Sequence, residues 1–138
     1  MTAALQAPET PRSAIKCVAM LLDKNLLDGV AHTTVFEAAG NFAFHHALIV
    51  GKDIQGVTVA PQIAFWQAGT PMTGFTTLDA LTAADEAVEV PPFVSAGVNQ
   101  AVPLMADGEP VTLENSLVVR ADAFIADVYI YAAEVELT

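Results

Sequence analysis

The sequence predicts an all-β protein: a single-domain antiparallel β-sandwich, jelly-roll-like, with about eight strands and one short helix. Two observations carry this expectation. Residues 117–138 read LVVRADAFIADVYIYAAEVELT, rich in β-branched and aromatic residues, with Ala121-Asp122-Ala123 as a place to reverse. Residues 118–120 and 124–137 are therefore expected to form a β-hairpin. Upstream, short extended runs are punctuated by Gly, Pro, Asn and Asp at intervals of about eight to twelve residues, the spacing of a sandwich or barrel. A chain of 138 residues fits one domain with a substantial core, and no internal repeat is evident.

The elements follow in order. Residues 1–13 are small and polar, contain Pro8 and Pro11, and lack periodicity, so they are read as an extended N-terminal arm before a sandwich domain over 14–138. Residues 14–27 fit two patterns: Ile15, Val18, Leu22 and Leu26 make a helical stripe, whereas Ile15, Cys17, Ala19 and Leu21 make a strand face. A strand over 15–22 is expected, because only Ser13 offers a cap and everything downstream is β in character. Residues 33–37 (TTVFE), closed by Gly40-Asn41, and 42–50 (FAFHHALIV), closed by Gly51-Lys52-Asp53, read as strands. In 57–67 (VTVAPQIAFWQ) Pro61 cannot donate to a ladder and marks an edge or a bulge. After a loop over 68–74, residues 77–87 (TLDALTAADEA) are the expected helix, with Leu78, Leu81 and Ala84 or Asp85 on one side. Short extended pieces at 88–90, 101–105 and 110–113 complete the set, separated by Pro91-Pro92, Gly97 and Asp107-Gly108.

Composition narrows the function classes. Hydrophobic residues make up 54% of the chain and charged residues 15%, so part of the uncharged surface is expected to be covered by other subunits. The longest apolar run, 14–22, is interrupted by Lys16, and no membrane span is expected despite a mean hydropathy of +0.48. A signal peptide is not expected either, since no basic segment precedes an apolar core. Net charge is −11, from 16 acids against 5 bases, and such a surface repels phosphate, which disfavours nucleic acid as a partner. Three of the bases, Arg12, Lys16 and Lys24, lie in the first 24 residues. Cys17 is the sole cysteine, so neither an internal disulfide nor a cysteine zinc cluster can form, as suits assembly in reducing cytoplasm.

Candidate chemistry is sparse. His45-His46 with His32 would be the first choice for a metal, but regular alternation puts His46 on a face with Phe42, Phe44, Leu48 and Val50, and His45 on the other with Ala43, Ala47 and Ile49. Adjacent strand histidines do not easily grip one ion, so one packed and one exposed histidine is expected, with no metal and no cofactor. Ser13, Ser95 and Ser116 lack a nucleophile-elbow context, and Cys17 sits in an apolar run that disfavours a thiolate. The acid pairs Asp85-Glu86, Asp107/Glu109 and Glu134/Glu136 read as surface groups, and the segment from Gly69 to Gly74 lacks the Lys-Ser/Thr of a phosphate loop. No catalytic residues are assigned, and the chain is not expected to be an enzyme. The aromatics say more: Trp66 falls on the opposite face from Ile63 and Phe65, where it either packs in a second layer or offers a stacking surface. Tyr129 and Tyr131 share a face with Ile125 and Asp127, while Phe124, Val128 and Ile130 share the other. Beyond Ala132-Ala133 the polarity changes, since Glu134 and Glu136 follow the Val128 face and Val135 and Leu137 follow the tyrosines. Either a bulge re-aims the strand or the tyrosine face continues as an intersubunit contact.

A small-residue arm, a Thr-Thr-Val-Phe strand followed by a Gly-Asn turn, an expected apolar middle hairpin and a terminal Asp-Val-Tyr-Ile-Tyr strand together resemble the small virion proteins of tailed bacteriophages. The likeness runs over 33–137 and is one of pattern; the class it resembles is the capsid decoration, or cement, proteins. It implies a structural protein that binds the outer surface of a phage capsid as a homotrimer and clamps adjacent major capsid subunits, on virions assembled in the host cytoplasm. The interface candidates under that resemblance are Thr2, Leu5, Pro8, Pro11 and Arg12 of the arm, with Trp66, Tyr129, Tyr131, Val135 and Leu137. The alternative is a carbohydrate- or receptor-binding β-sandwich module of a tail or head fibre, built on Trp66.

Overall fold

A computed structural model describes residues 9–11, 14–26, 33–67, 70–73, 76–78, 83–91, 104–115 and 121–137. Its strands are β1 (Glu9–Pro11), β2 (Lys16–Asn25), β3 (Thr33–Glu37), β4 (Phe42–Gln55), β5 (Gln62–Gln67), β6 (Thr70–Pro71), β7 (Thr76–Thr77), β8 (Ala87–Val90), β9 (Leu104–Met105), β10 (Pro110–Asn115) and β11 (Ala123–Leu137). All paired neighbours are antiparallel. Sheet one runs β2-β11-β4-β8, with β1 continuing the β2 edge of β11 and β9 continuing the β8 edge of β4. Sheet two runs β3-β10-β5-β6, with β7 also on β5.

The order in which the chain visits the sheets defines the architecture. It passes from β2 in sheet one to β3 in sheet two, back to β4, then to β5, β6 and β7, returns to β8 and β9, crosses to β10 and ends in β11. Numbering the eight principal strands in sequence gives orders 1-8-3-6 and 2-7-4-5, the double Greek key of a jelly roll. The all-β sandwich expected from the sequence is therefore present.

Inward-facing side chains of both sheets fill one core. Phe44, Phe65, Phe124, Leu26, Ile49, Ile63, Leu113 and Ile130 are fully buried, and Phe44 of sheet one meets Phe65 of sheet two with ring centroids 6.4 Å apart. Each such burial contributes roughly 1.5–3 kcal/mol before entropy is charged against it. The two longest strands, β4 and β11, pair from Ala123↔Gln55 to Glu134↔Phe42 and form the spine of sheet one.

Two expectations are corrected. No helix spans 77–87: Thr77 pairs with Gln62 in β7, Leu78 N–H donates to the Pro61 carbonyl, Asp85 adopts φ +69°, and Ala87 pairs with Val50 in β8. Cross-strand pairing at both ends outweighs the local helical stripe; residues 79–82 lie outside the described residues. Nor is β11 one arm of a terminal hairpin. Along residues 125–132 β2 takes one of its edges and β4 the other, leaving neither for 118–120, which are outside the described residues. The strand expected over 15–22 is present and longer, as β2.

Candidate interaction surface

Bulges decide which side chains sheet one shows to solvent. On β4, Lys52 is the extra residue between the pairs Ala126↔Gly51 and Ile125↔Asp53, and His45 the extra residue between Tyr131↔His46 and Ala132↔Phe44. On β2, Val18 is extra between Tyr131↔Cys17 and Ile130↔Ala19, while Leu22 and Asp23 together oppose Asp127. The bulge at His45 resets the alternation of β4. Phe42 and Phe44 before it and Ala47 and Ile49 after it all reach the core, whereas His46, Leu48 and Val50 face outwards. This corrects the expectation that His46 shares a face with the two phenylalanines, because a period of two cannot anticipate an inserted residue.

The outer face of sheet one is a set of cross-strand rows. One row is Cys17, Tyr131 and His46; the next is Met20, Tyr129, Leu48 and Glu89; the third is Asp127, Val50 and Ala87 flanked by the Leu22-Asp23 bulge. Met20 is 62% exposed and Leu22 54%, so two of the four large exposed apolar residues among those described lie on this one edge strand, and a third, Ile15 at 48%, lies just before it. Acids outnumber bases among the charges on the face: Lys52 Nζ lies 3.7 Å from Asp23 Oδ1 and 3.6 Å from Asp127 Oδ2, and Glu89 Oε2 lies 3.9 Å from His46 Nε2. An outer face rich in Tyr, Met and Leu stands out on a chain of net charge −11.

Asp127 organises the centre of this face. Its carboxylate is buried, with Oδ1 accepting the Asp23 N–H at 2.9 Å and Oδ2 accepting the Tyr129 hydroxyl at 3.4 Å. Asp23 sits at φ +55°, where its N–H leaves the ladder and needs an acceptor. Partial burial and then the Asp127 carboxylate push the Tyr129 hydroxyl above its ordinary pKa, keeping it a neutral donor.

The remaining candidate residues fall in different places. Thr2, Leu5, Pro8 and Arg12 lie outside the described residues, while Pro11 in β1 pairs with Val135 of the same chain. Tyr129 and Tyr131 are half-buried on the outer face. Val135 is buried within the chain, and its N–H donates to the Asn41 carbonyl at 3.0 Å; Leu137 pairs with Glu9 through the backbone. Trp66 lies on the other sheet, half-buried on the solvent side of β5 between its partners Thr112 and Pro71, and its indole N–H is covered without an acceptor. Tyr129 and Tyr131 are thus brought together, and Trp66 is apart from them. Sequence reasoning missed Met20 and Leu22. The available signal was that both faces of 14–22 are apolar, which on an edge strand leaves one of them uncovered.

Among the described residues, no group of three or more His, Cys, Asp or Glu side chains converges as a metal site. His45 and His46 do meet: their Nδ1 atoms are 2.6 Å apart, and the His46 ring stacks on Tyr131 at 4.7 Å with an interplanar angle of 4°.

No family model and no curated protein matches the chain. Among solved structures it is similar to a chain of the capsid of Ralstonia phage GP4, with 13% identity over 93% of this chain and 89% of that one, at a TM-score of 0.40. It is also similar to the sugar-binding EclA C-terminal domain, with 17% identity, 92% and 79% coverage and a TM-score of 0.33. At these values the fold rests on the strand order described above.

Proposed function

We propose that the chain is a virion structural protein of a tailed bacteriophage, a decoration or cement protein that binds the outer surface of the capsid and stabilises contacts between major capsid subunits. The observation that carries this is the outer face of sheet one, where Met20, Leu22, Leu48, Tyr129 and Tyr131 are displayed around the Asp23–Lys52–Asp127 cluster on a strongly acidic chain. Uncompensated apolar surface of this kind gains free energy when a protein partner covers it. Jelly rolls serve widely as capsid domains, and the terminal Asp-Val-Tyr-Ile-Tyr strand that resembles the decoration class is the strand at the centre of this face.

The mechanism is mechanical. A chain that binds only the assembled lattice stabilises it by mass action, since its contacts must break before neighbouring capsid subunits separate. Catalysis and cofactors have no part in it. A homotrimer would present three such faces, so that several weak contacts act together. The test is mass spectrometry and antibody labelling of purified particles from the genome that encodes the chain. Many copies per particle on the outer surface are expected; its absence from particles would contradict the proposal.

A second reading is favoured by Trp66, whose indole is only half-buried on the solvent side of sheet two and so leaves part of its ring open for stacking. Glycan or receptor binding there predicts that Trp66→Ala abolishes retention on a sugar array and leaves particle binding intact. Retention unchanged by that substitution would remove this reading.

A further inference from the structure

We infer that His45 and His46 form a proton-controlled latch on the outer face of sheet one, closed while at least one imidazole is neutral and open when both are charged. It goes beyond the shell-binding proposal and does not need it, because the latch belongs to the isolated chain.

The inference follows from counting protons. At 2.6 Å the two Nδ1 atoms make a hydrogen bond, which requires one of them to carry hydrogen and the other a free lone pair. A neutral imidazole has one N–H and a charged one has two, so the bond exists for the neutral pair and for the singly charged pair. When both rings are charged both Nδ1 atoms are donors, and the same contact becomes repulsive.

The surroundings assign the roles. Glu89 on β8 faces His46 Nε2 at 3.9 Å, which favours hydrogen on that nitrogen and leaves His46 Nδ1 as the acceptor. His45 is then the donor, in its Nδ1–H form. The rings meet edge to face, with centroids 4.9 Å apart and an interplanar angle of 74°. His46 is held from a second side by the Tyr131 ring of β11, and that stack also suits a charged imidazole. His45 is the exposed bulge residue of β4. The other ionisable group nearby is Cys17 of β2, the register partner of Tyr131 and exposed, whose Sγ is directed at the Ala19 carbonyl. The two rings thus differ in freedom: on double protonation His46 stays between Tyr131 and Glu89 while His45 swings into solvent. Relative to the neutral pair, the net charge of the face beside Met20, Tyr129 and Leu48 then rises by two.

The test is long-range ¹H–¹⁵N correlation of histidine-labelled protein, which reads the tautomer of each ring. Where the spectrum reads both rings as neutral, His45 is expected as the Nδ1–H form and His46 as the Nε2–H form; where acid has brought both rings to the doubly protonated form, the NOEs between them are lost. His46→Gln should return His45 to the Nε2–H form that free histidine prefers. Finding both neutral rings as Nε2–H in the wild-type chain, or ring-to-ring NOEs that persist once the spectrum reads both rings as charged, would overturn the latch. Particle binding plays no part in either readout, so failure of the shell-binding proposal would leave the result interpretable.

Discussion

The Asp127 carboxylate accepts the backbone N–H of Asp23 at 2.9 Å across 104 residues of sequence, tying the bulge of edge strand β2 to the central strand β11. Replacing Asp127 with Ala takes the acceptor from that N–H and from the Tyr129 hydroxyl and leaves Lys52 only Asp23, which costs about 1–3 kcal/mol. Asp127→Asn keeps one acceptor oxygen for the Asp23 N–H and loses the attraction to Lys52 and the second acceptor for the Tyr129 hydroxyl, so it should cost less. Chemical denaturation of the two variants, compared by their midpoints, checks the order; equal losses would show that the hydrogen bond to Asp23 contributes little.

Gly51 gives a second, independent prediction. It seats the turn before β8, donating its N–H to the Glu86 carbonyl and accepting the Asp85 N–H, both at 2.8 Å. A Cβ added here would stand 2.6 Å from Ile54 Cδ1 and 2.9 Å from the Ala83 carbonyl oxygen. Gly51→Ala should therefore lower stability by about 1–3 kcal/mol, the usual range for overpacking. Thermal unfolding measures it, and an unchanged midpoint would mean that the turn yields without cost.

Gln67 is the buried amide at the far end of β5. Its Oε1 accepts the Ala106 N–H at 2.7 Å and its Nε2 donates to the Glu109 carbonyl at 3.0 Å, joining β5 to the turn before β10. Gln67→Leu keeps the volume and strands the Ala106 N–H, while the Glu109 carbonyl still accepts the Ala38 N–H, at a cost of about 1–3 kcal/mol. Amide hydrogen exchange should speed up at Ala106 before it changes in β11; uniform acceleration would point to global destabilisation instead.

Tyr129 ties stability to alkaline pH. Its hydroxyl titrates above the ordinary value in the folded chain, through partial burial and the Asp127 carboxylate, so the unfolded chain releases this proton first. The contribution is present below about pH 10 and is lost as pH rises through the folded pKa. Melting temperature measured from pH 8 to 11 should fall more steeply for the wild type than for Tyr129→Phe. Parallel curves would contradict the coupling.

The sandwich was legible because its evidence is repeated along the chain: β-branched runs between Gly, Pro and Asn turns, and an apolar periodicity of two in β5 and β11. The outward tyrosines followed from that alternation, since β11 carries no inserted residue and Tyr129 and Tyr131 stay in phase with Ile125. The misassignments have local causes. Residues 77–87 hold good helix formers, but Thr77 and Ala87 are captured by β5 and β4. The face of His46 was misassigned because the bulge at His45 has no marker in sequence. The partners of β11 are β2 and β4, strands distant in the chain, and local turn propensity at 121–123 carries no information about them. Met20 and Leu22 escaped notice because an apolar residue on an edge strand looks like a core residue until both sheets are in place.

Binding of the purified chain to capsids assembled without it, compared between wild type and the Met20→Glu/Leu22→Glu variant, bears on the outer face of sheet one most directly. These side chains are mostly exposed, so the variant should fold and melt as the wild type does. Wild-type protein should sediment with the capsids and raise their resistance to heat, and the folded variant should lose at least tenfold in affinity. Equal binding by both, or no binding by the wild type, would contradict the assignment of this face to the capsid.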